Sequence, residues 1–262
     1  MKNLIKAFER KWQLPFLLFV FYLLIPSGAQ GQYGRLFTSD TEMSSSMVNQ
    51  IYQDRKGFIW IATYNGLDCY DSNVFKSFHA TRHPGALLSN CVNCVLEDRN
   101  GRFLVGTDVG LQIYDEARNE FQNIRFTRGG NPYETGCHVL AMAQRKNGEV
   151  WISTSGHGTF RLKPDAMEAE SLTLFEGDGG VDHMVEAKDG TMWLAVTNYG
   201  IYRWKDGIFH RYLADRAASL GTCHLTFDRD GRLFVGATLG GFFVFNKQKD
   251  AFEEIGLSTP PV

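Results

Sequence analysis

Val48-Asn49-Gln50-Ile51-Tyr52-Gln53-Asp54-Arg55-Lys56-Gly57-Phe58-Ile59-Trp60-Ile61-Ala62-Thr63-Tyr64-Asn65-Gly66-Leu67 is the stretch that decides the fold, because it recurs. Its turn glycine reappears at Gly57, Gly101, Gly148, Gly190 and Gly231, at intervals of 44, 47, 42 and 41 residues. Three residues after each stands a large apolar side chain: Trp60, Leu104, Trp151, Trp193 and Phe234. A second glycine follows at Gly66, Gly110, Gly158, Gly200 and Gly240. Nine residues before each turn glycine stands Val48, Val92, Val139, Val181 or Thr222. Repeats in phase are a statement about architecture before any residue is read for chemistry.

Each copy reads as four short strands, A to D. In the first, strand A is Val48 to Gln53, strand B Phe58 to Thr63, strand C Leu67 to Tyr70 and strand D Lys76 to Phe78. Asp54-Arg55-Lys56-Gly57 joins A to B with the Asp and Gly of a type I turn. Asp98-Arg99-Asn100-Gly101 and Asp228-Arg229-Asp230-Gly231 repeat that chemistry. Strand B is apolar on both faces, as in a sheet sandwiched between two others. Asn65-Gly66 marks the B–C hairpin. A tandem unit of this kind is the mark of a β-propeller. A stacked solenoid is the alternative, but its repeats are shorter or helical, and no helical period is present here.

The expected fold is all-β, a propeller of four-stranded blades with five blades present at about 44–80, 88–126, 136–175, 180–213 and 221–256. Arg35-Leu36-Phe37-Thr38 resembles Lys76-Ser77-Phe78-His79, which predicts an extra strand at about 35–38 ahead of the first blade. Every copy already has a strand D, including Ala251 to Ile255 in the last. The extra strand therefore has no vacancy to fill, and an incomplete ring of a larger propeller is expected.

The N-terminus reads as a targeting segment. Lys2, Lys6, Arg10 and Lys11 precede ten apolar residues, Phe16 to Ile25, and small residues close the segment at Ala29 and Gly31. This predicts a signal peptide over 1–31, a propeller region over 32–262 and an exported, periplasmic product. An uncleaved anchor would need about 20 apolar residues. Without residues 1–31 the chain keeps 23 basic against 28 acidic residues. A mildly acidic chain with no basic run excludes nucleic acid as a partner of this segment.

The residues for catalysis or metal binding do not assemble in the sequence. The five cysteines cannot all pair within one chain, and Cys91-Val92-Asn93-Cys94 has no second CxxC to complete a zinc site. Buried free thiols are expected, although export permits a disulfide. No HExxH is present. His183 and His224 both stand seven residues before a turn glycine, on strand A, where a pair near the axis could act as acid and base. A hydrogen-bonded or exposed strand histidine is the plainer explanation of both. Asp228-Arg229-Asp230-Gly231 is similar to the start of a calcium loop but lacks the remaining ligands. No catalytic residue, cofactor or metal is expected.

Hairpin geometry sorts the loops onto two faces. The A–B turns are tight and alike, which suggests a structural role. The B–C and D–A loops are varied and polar, and variable loops on a rigid scaffold are where binding resides. The candidates there are Tyr64, Asn65, Arg82, Asp108, Tyr133, His157, Asn198 and Tyr199, with His83, Arg128, Asp178 and Arg216 beside them. Aromatic rings among amides, carboxylates and guanidinium groups suit a sugar, whose CH faces stack while its hydroxyls hydrogen-bond. Solvated turn residues are the plainer explanation of each one singly.

Ser45-Ser46-Met47-Val48, Ile51, Asp54, Gly57-Phe58-Ile59-Trp60-Ile61-Ala62-Thr63, Gly66-Leu67 and Tyr70-Asp71 together resemble the two-component regulator propeller repeat. Leu88-Ser89-Asn90-Cys91-Val92, Asp98, Gly101, Leu104-Val105-Gly106-Thr107, Gly110-Leu111 and Tyr114-Asp115 fit as well. The later copies are looser: Arg145 and Ala187 replace the turn Asp, and Ala237 stands near the expected Thr. The resemblance implies a periplasmic sensor region of a hybrid two-component system of the Bacteroidetes type. Such proteins carry further propeller blades, a membrane helix and a histidine kinase, and detect glycan fragments. The expected function is thus a ligand-sensing module with an oligosaccharide ligand. A propeller enzyme of the streptogramin-lyase or glycan-lyase type, or a general protein-interaction propeller, is the alternative. No kinase motif occurs in the 262 residues, so no kinase activity is expected of them.

Overall fold

The computed structural model describes residues 36–40, 42–133, 136–174 and 180–256. The expected signal peptide, Asp178 and Thr259 to Val262 lie outside the described residues. The chain divides into Met1–Phe37 and Thr38–Val262, and every described strand belongs to the second unit. Residues 36–38 are not in a strand, and Leu36 is exposed. The extra strand expected at about 35–38 is therefore not formed among the described residues; a strand exists only where a neighbour supplies ladder hydrogen bonds.

Five blades of four antiparallel strands follow in sequence order, the second and third joined into one sheet by a parallel pairing of their last strands. The first is β1 (Val48–Gln53), β2 (Ile59–Thr63), β3 (Gly66–Tyr70) and β4 (Phe75–Phe78). The second is β5 (Val92–Glu97), β6 (Phe103–Thr107), β7 (Leu111–Asp115) and β8 (Glu120–Arg128), extended by the short β9 (Asn131–Pro132). The third is β10 (Val139–Gln144), β11 (Val150–Thr154), β12 (Gly158–Leu162) and β13 (Glu168–Leu172). The fourth is β14 (Val181–Glu186), β15 (Met192–Val196), β16 (Gly200–Lys205) and β17 (Ile208–Tyr212). A single helical turn, α1 (Ala217–Leu220), leads to the fifth: β18 (Cys223–Phe227), β19 (Leu233–Ala237), β20 (Gly241–Asn246) and β21 (Ala251–Ile255).

The turn chemistry works as the repeat requires. All five turn glycines adopt φ between 76° and 91°, which a β-carbon would strain. Asp54 accepts from the main-chain N–H groups of Lys56 and Phe58, each at 2.9 Å, and from Trp60 Nε1 at 2.8 Å. One carboxylate thus fixes both the turn and the tryptophan that follows it. Asp98 and Asp228 cap their own turns in the same way and also bind Arg102 and Arg232.

Four apolar cores lie between successive blades, which is why strand B is apolar on both faces. Trp60 packs on Phe103 with ring centroids 4.2 Å apart, Trp151 on Trp204 at 5.0 Å, and Trp193 on Phe245 at 4.7 Å. Each such ring buries on the order of 200 Å², roughly 5 kcal/mol of transfer free energy before entropy is counted.

The A strands carry a feature that counting along the sequence misses. Pairing slips between Val48 and Gln50, Val92 and Cys94, Val139 and Ala141, and Val181 and His183. A bulge thus leaves Asn49, Asn93, Leu140 and Asp182 without a ladder partner at the same level in four blades. Asn49 uses its freedom to donate to Val92 O at 2.8 Å, and Asn93 to Val139 O at 2.9 Å, each stapling one blade to the next. Strand β18 runs without a bulge. Cys223, not Thr222, therefore stands at the level of Val48, since Cys223 pairs with Ala237 as Val48 pairs with Thr63. Gly241, not Gly240, opens strand C there, opposite Ala237, as Gly66 does opposite Thr63.

The two end faces are open. Ile51 is 65% exposed, whereas Val95 and Leu225 at the same level of strand A are each 2% exposed beneath the preceding blade. Phe242 is 48% exposed, whereas Leu67 and Ile201 at its level of strand C are fully buried by the following one.

Candidate functional site

The varied loops do fall on one face, at the β2–β3, β6–β7, β11–β12 and β15–β16 hairpins and the connections between blades. Of the eight candidates, Tyr133 and His157 are brought together. Strand β8 runs beyond its own blade, and Arg125 to Thr127 pair in parallel with Glu168 to Glu170 of β13. Gly129 and Gly130, both at positive φ (59° and 81°), turn the chain in the two-residue hairpin such angles favour. Thr127 then pairs with Pro132, and the Tyr133 N–H donates to Phe126 O at 2.7 Å. This seats the Tyr133 ring against Phe160, and its Oη shares a 2.8 Å hydrogen bond with His157 Nδ1. The Arg128 guanidinium lies 5.0 Å from the Tyr133 ring centre and donates to His157 O at 3.0 Å. The result is a half-buried aromatic pair roofed by a cation, an arrangement able to stack on a ring and hydrogen-bond its substituents.

The other candidates stand apart in separate groups. Asn65 is occupied by the fold: its Nδ2 donates to Ser44 O at 3.2 Å, and its Oδ1 accepts from Asn90 at 3.4 Å. Tyr64 beside it is exposed. Asp108 donates its main-chain N–H to Cys91 O, and its Oδ1 is buried with no hydrogen-bond partner among the described residues. Asn198 takes a left-handed turn position (φ 64°), and Tyr199 lies beside Arg211, whose Nε donates to Tyr199 O at 2.6 Å. Arg82 is exposed on the β4–β5 connection, next to a 290 Å³ recess lined by Thr81 and His83. Arg216 pairs with Glu254 at 2.6 Å and covers Phe243, so it supports the fifth blade.

His183 and His224 meet, with ring centres 4.8 Å apart. Nδ1 of His183 accepts from the Leu225 N–H at 3.3 Å, and burial with the neighbouring His224 lowers its pKa to about 4. A neutral ring whose lone pair is already used makes a poor base or metal ligand. Asp182 accepts from Thr197 Oγ1 and is pushed up by burial. Among the described residues no group of three or more His, Cys, Asp and Glu side chains is placed to hold a metal ion. No disulfide joins any two of the five cysteines.

A large open cleft lies on the opposite face, whose A–B turns the sequence assigned to structure alone. It encloses about 880 Å³ between the A–B turns of the fourth and fifth blades, with Trp193, Phe227 and Phe245 among its lining. At the preceding interfaces an arginine of the A–B turn bridges this place. The Arg55 guanidinium donates to Asp98 O and Arg99 O at 2.6 and 2.9 Å, and the Arg55 N–H donates to Glu97 at 2.8 Å. Arg99 donates to Lys146 O at 2.7 Å and, through its N–H, to Gln144 at 2.9 Å. Arg145 binds Glu186 and Gly190 O, and the Lys146 N–H donates to Glu186 at 2.6 Å. Between the fourth and fifth blades the turn offers Ala187 and an exposed Lys188, and Phe227 stands where Glu97 and Gln144 accept. Those substitutions were the legible signal for the cavity.

Two segments, residues 42–65 and 86–109, match the two component regulator propeller family. These two segments are similar to two-component regulator propeller repeats. The matched segments begin just ahead of β1 and β5 and run into the β2–β3 and β6–β7 turns, so the family pattern is the A–turn–B unit of the first two blades. The extracellular domain of one putative hybrid two-component system from B. thetaiotaomicron superposes with a TM-score of 0.68 at 21% identity, over 81% of this chain and 31% of that one. A second such domain from the same organism gives 0.71 at 18%, over 84% and 31%. Virginiamycin B lyase from Staphylococcus aureus gives 0.63 at 14%, over 86% and 74%. At these identities the likeness is one of fold. The chain spans about a third of the length of the two-component domains it resembles in fold. No curated protein matches it. No helix among the described residues is long and apolar enough to cross a membrane.

Proposed function

We propose that this propeller is a ligand-sensing module of a two-component system, acting in the periplasm as part of a longer, membrane-linked protein, with glycan fragments as ligand. The observation that carries the reading is the Arg128–Tyr133–His157 group on the varied loop face of a two-component regulator propeller. Its ring faces and polar tips match the alternating CH and OH surfaces of a sugar. A binding role, without turnover, fits the engaged state of His183, the residue best placed to serve as a base. The test is an oligosaccharide array probed with the 262-residue chain. Binding that falls at least tenfold in Tyr133→Ala and His157→Ala supports the reading. Array binding untouched by both variants, or mass-detected cleavage of a bound glycan, overturns it. The exported location is checked by N-terminal sequencing of material from the periplasm, which is expected to begin after Gly31.

A further inference from the structure

We infer that the cleft between the fourth and fifth blades is a docking site for one arginine side chain of a polypeptide partner. The molecule supplies its own templates. At each of the three preceding interfaces a guanidinium group enters between neighbouring A–B turns and donates to main-chain carbonyls of the following turn: Asp98 and Arg99, then Lys146, then Gly190. At the third, the Arg145 guanidinium also stacks 4.7 Å from the ring centre of Trp151 and 4.9 Å from that of Trp204. The fourth interface keeps the elements that receive such a group. The turn Asp228–Gly231 has the same capped geometry as Asp98–Gly101, so its carbonyls present the same edge. Trp193 occupies the level of Trp151, and Phe227 adds a second aromatic surface. The A–B turn of the fourth blade supplies no guanidinium of its own; Arg203 reaches the Trp193 ring from β16, 5.8 Å from its centre, and a cleft of about 880 Å³ stays open beside it.

Charge narrows the occupant. Arg203 pairs with Asp250 at 2.6 Å, Lys205 with Asp189 at 3.3 Å and Arg232 with Asp228 at 2.6 Å, so most of the rim is already matched. Asp206 and the exposed Asp230, itself 3.9 Å from Arg232, add carboxylates, while Lys188 and Lys247 stand on the same rim. These cations disfavour a run of basic residues and leave room for a single planar cation. A guanidinium meets carbonyl edges and an aromatic face together, which an ammonium does not.

The experiment titrates the full chain, labelled with nitrogen-15, with acetyl-Gly-Arg-Gly-amide, with the lysine analogue and with maltohexaose. Saturable shifts of the Gly190 and Gly231 amides are expected with the arginine peptide, and at least fivefold weaker binding with the lysine peptide. The double substitution Lys188→Arg and Phe227→Gln rebuilds the latch of the second interface and is expected to abolish those shifts and raise Tm. Ala187→Arg, which follows the third interface, gives the same readout if the double variant does not fold. The inference is overturned if the arginine peptide produces no saturable shift, if the lysine peptide or maltohexaose binds there equally well, or if the rebuilt latch leaves binding unchanged.

Discussion

Nδ1 of His183 accepts the main-chain N–H of Leu225 at 3.3 Å, joining the A strands of the fourth and fifth blades. Gln50 does the same work between the first two blades, accepting the Val95 N–H at 2.7 Å. Gln50 and His183 stand at one level of strand A, opposite Ala62 and Ala195. A histidine here is thus a glutamine surrogate with a titratable ring.

That ring makes stability depend on pH. Its folded pKa of about 4 lies below the ordinary 6.5, so between those values the unfolded chain takes up a proton that the folded chain refuses. The cost is absent above about pH 6.5 and complete below about pH 4, at most roughly 3 kcal/mol. His183→Gln is expected to match the wild type in urea at pH 7.5 and to be the more stable of the two at pH 4.5. Asp182, pushed up by burial, acts in the opposite sense near its own pKa, and comparison of the two proteins cancels it. Equal midpoints at both pH values would remove His183 from the account.

The open end faces give a second prediction. Val95→Ala, beneath the first blade, should cost about 2 kcal/mol, whereas Ile51→Ala at the same level should cost less than about 0.5 kcal/mol. Ile51→Ser with Phe242→Ser should raise solubility, because contiguous exposed apolar surface promotes association. Urea midpoints and light scattering measure the two effects. A large loss of stability in Ile51→Ala would mean that its face is covered in solution.

Asp54 is expected to be the costliest single turn residue of the first blade. Asp54→Ala strands three donors, Lys56 N–H, Phe58 N–H and Trp60 Nε1, and should cost about 2–3 kcal/mol. Asp54→Asn can keep the two main-chain bonds and should lose about half as much, with a red-shifted change in tryptophan emission from the released indole. Identical losses in the two variants would show that the Trp60 bond contributes nothing.

Thiol reactivity should separate the cysteines. Burial raises the Cys94 thiol to about 12 and those of Cys69, Cys137 and Cys223 to about 11, so at pH 8 roughly one molecule in a thousand is a thiolate at each of those three and about one in ten thousand at Cys94. Cys91 is raised too, by partial burial and by Asp108. Alkylation of the native protein should modify Cys91 first, and the other four only on unfolding. Rapid native modification of Cys94 would contradict its buried place.

The sequence by itself determined the blades. Strand β1 at Val48–Gln53 and strand β21 at Ala251–Ile255 stand where the repeat put them, and the turn glycines hold the positive φ their spacing implied. These features rest on local physics: glycine alone tolerates such angles, aspartate caps its own turn, and a strand sandwiched between sheets is apolar throughout. The sequence also named Tyr133 and His157, but as loop residues, not as a pair. Tertiary structure alone decided what meets across blades. The bulge that displaces Asn49 and Asp182, the Tyr133–His157 contact, the acceptor role of His183 and the missing latch beside Phe227 all join residues far apart in the chain. Their partners are set by the register and stacking of neighbouring sheets, and a one-residue slip such as the unbulged β18 redirects every contact after it.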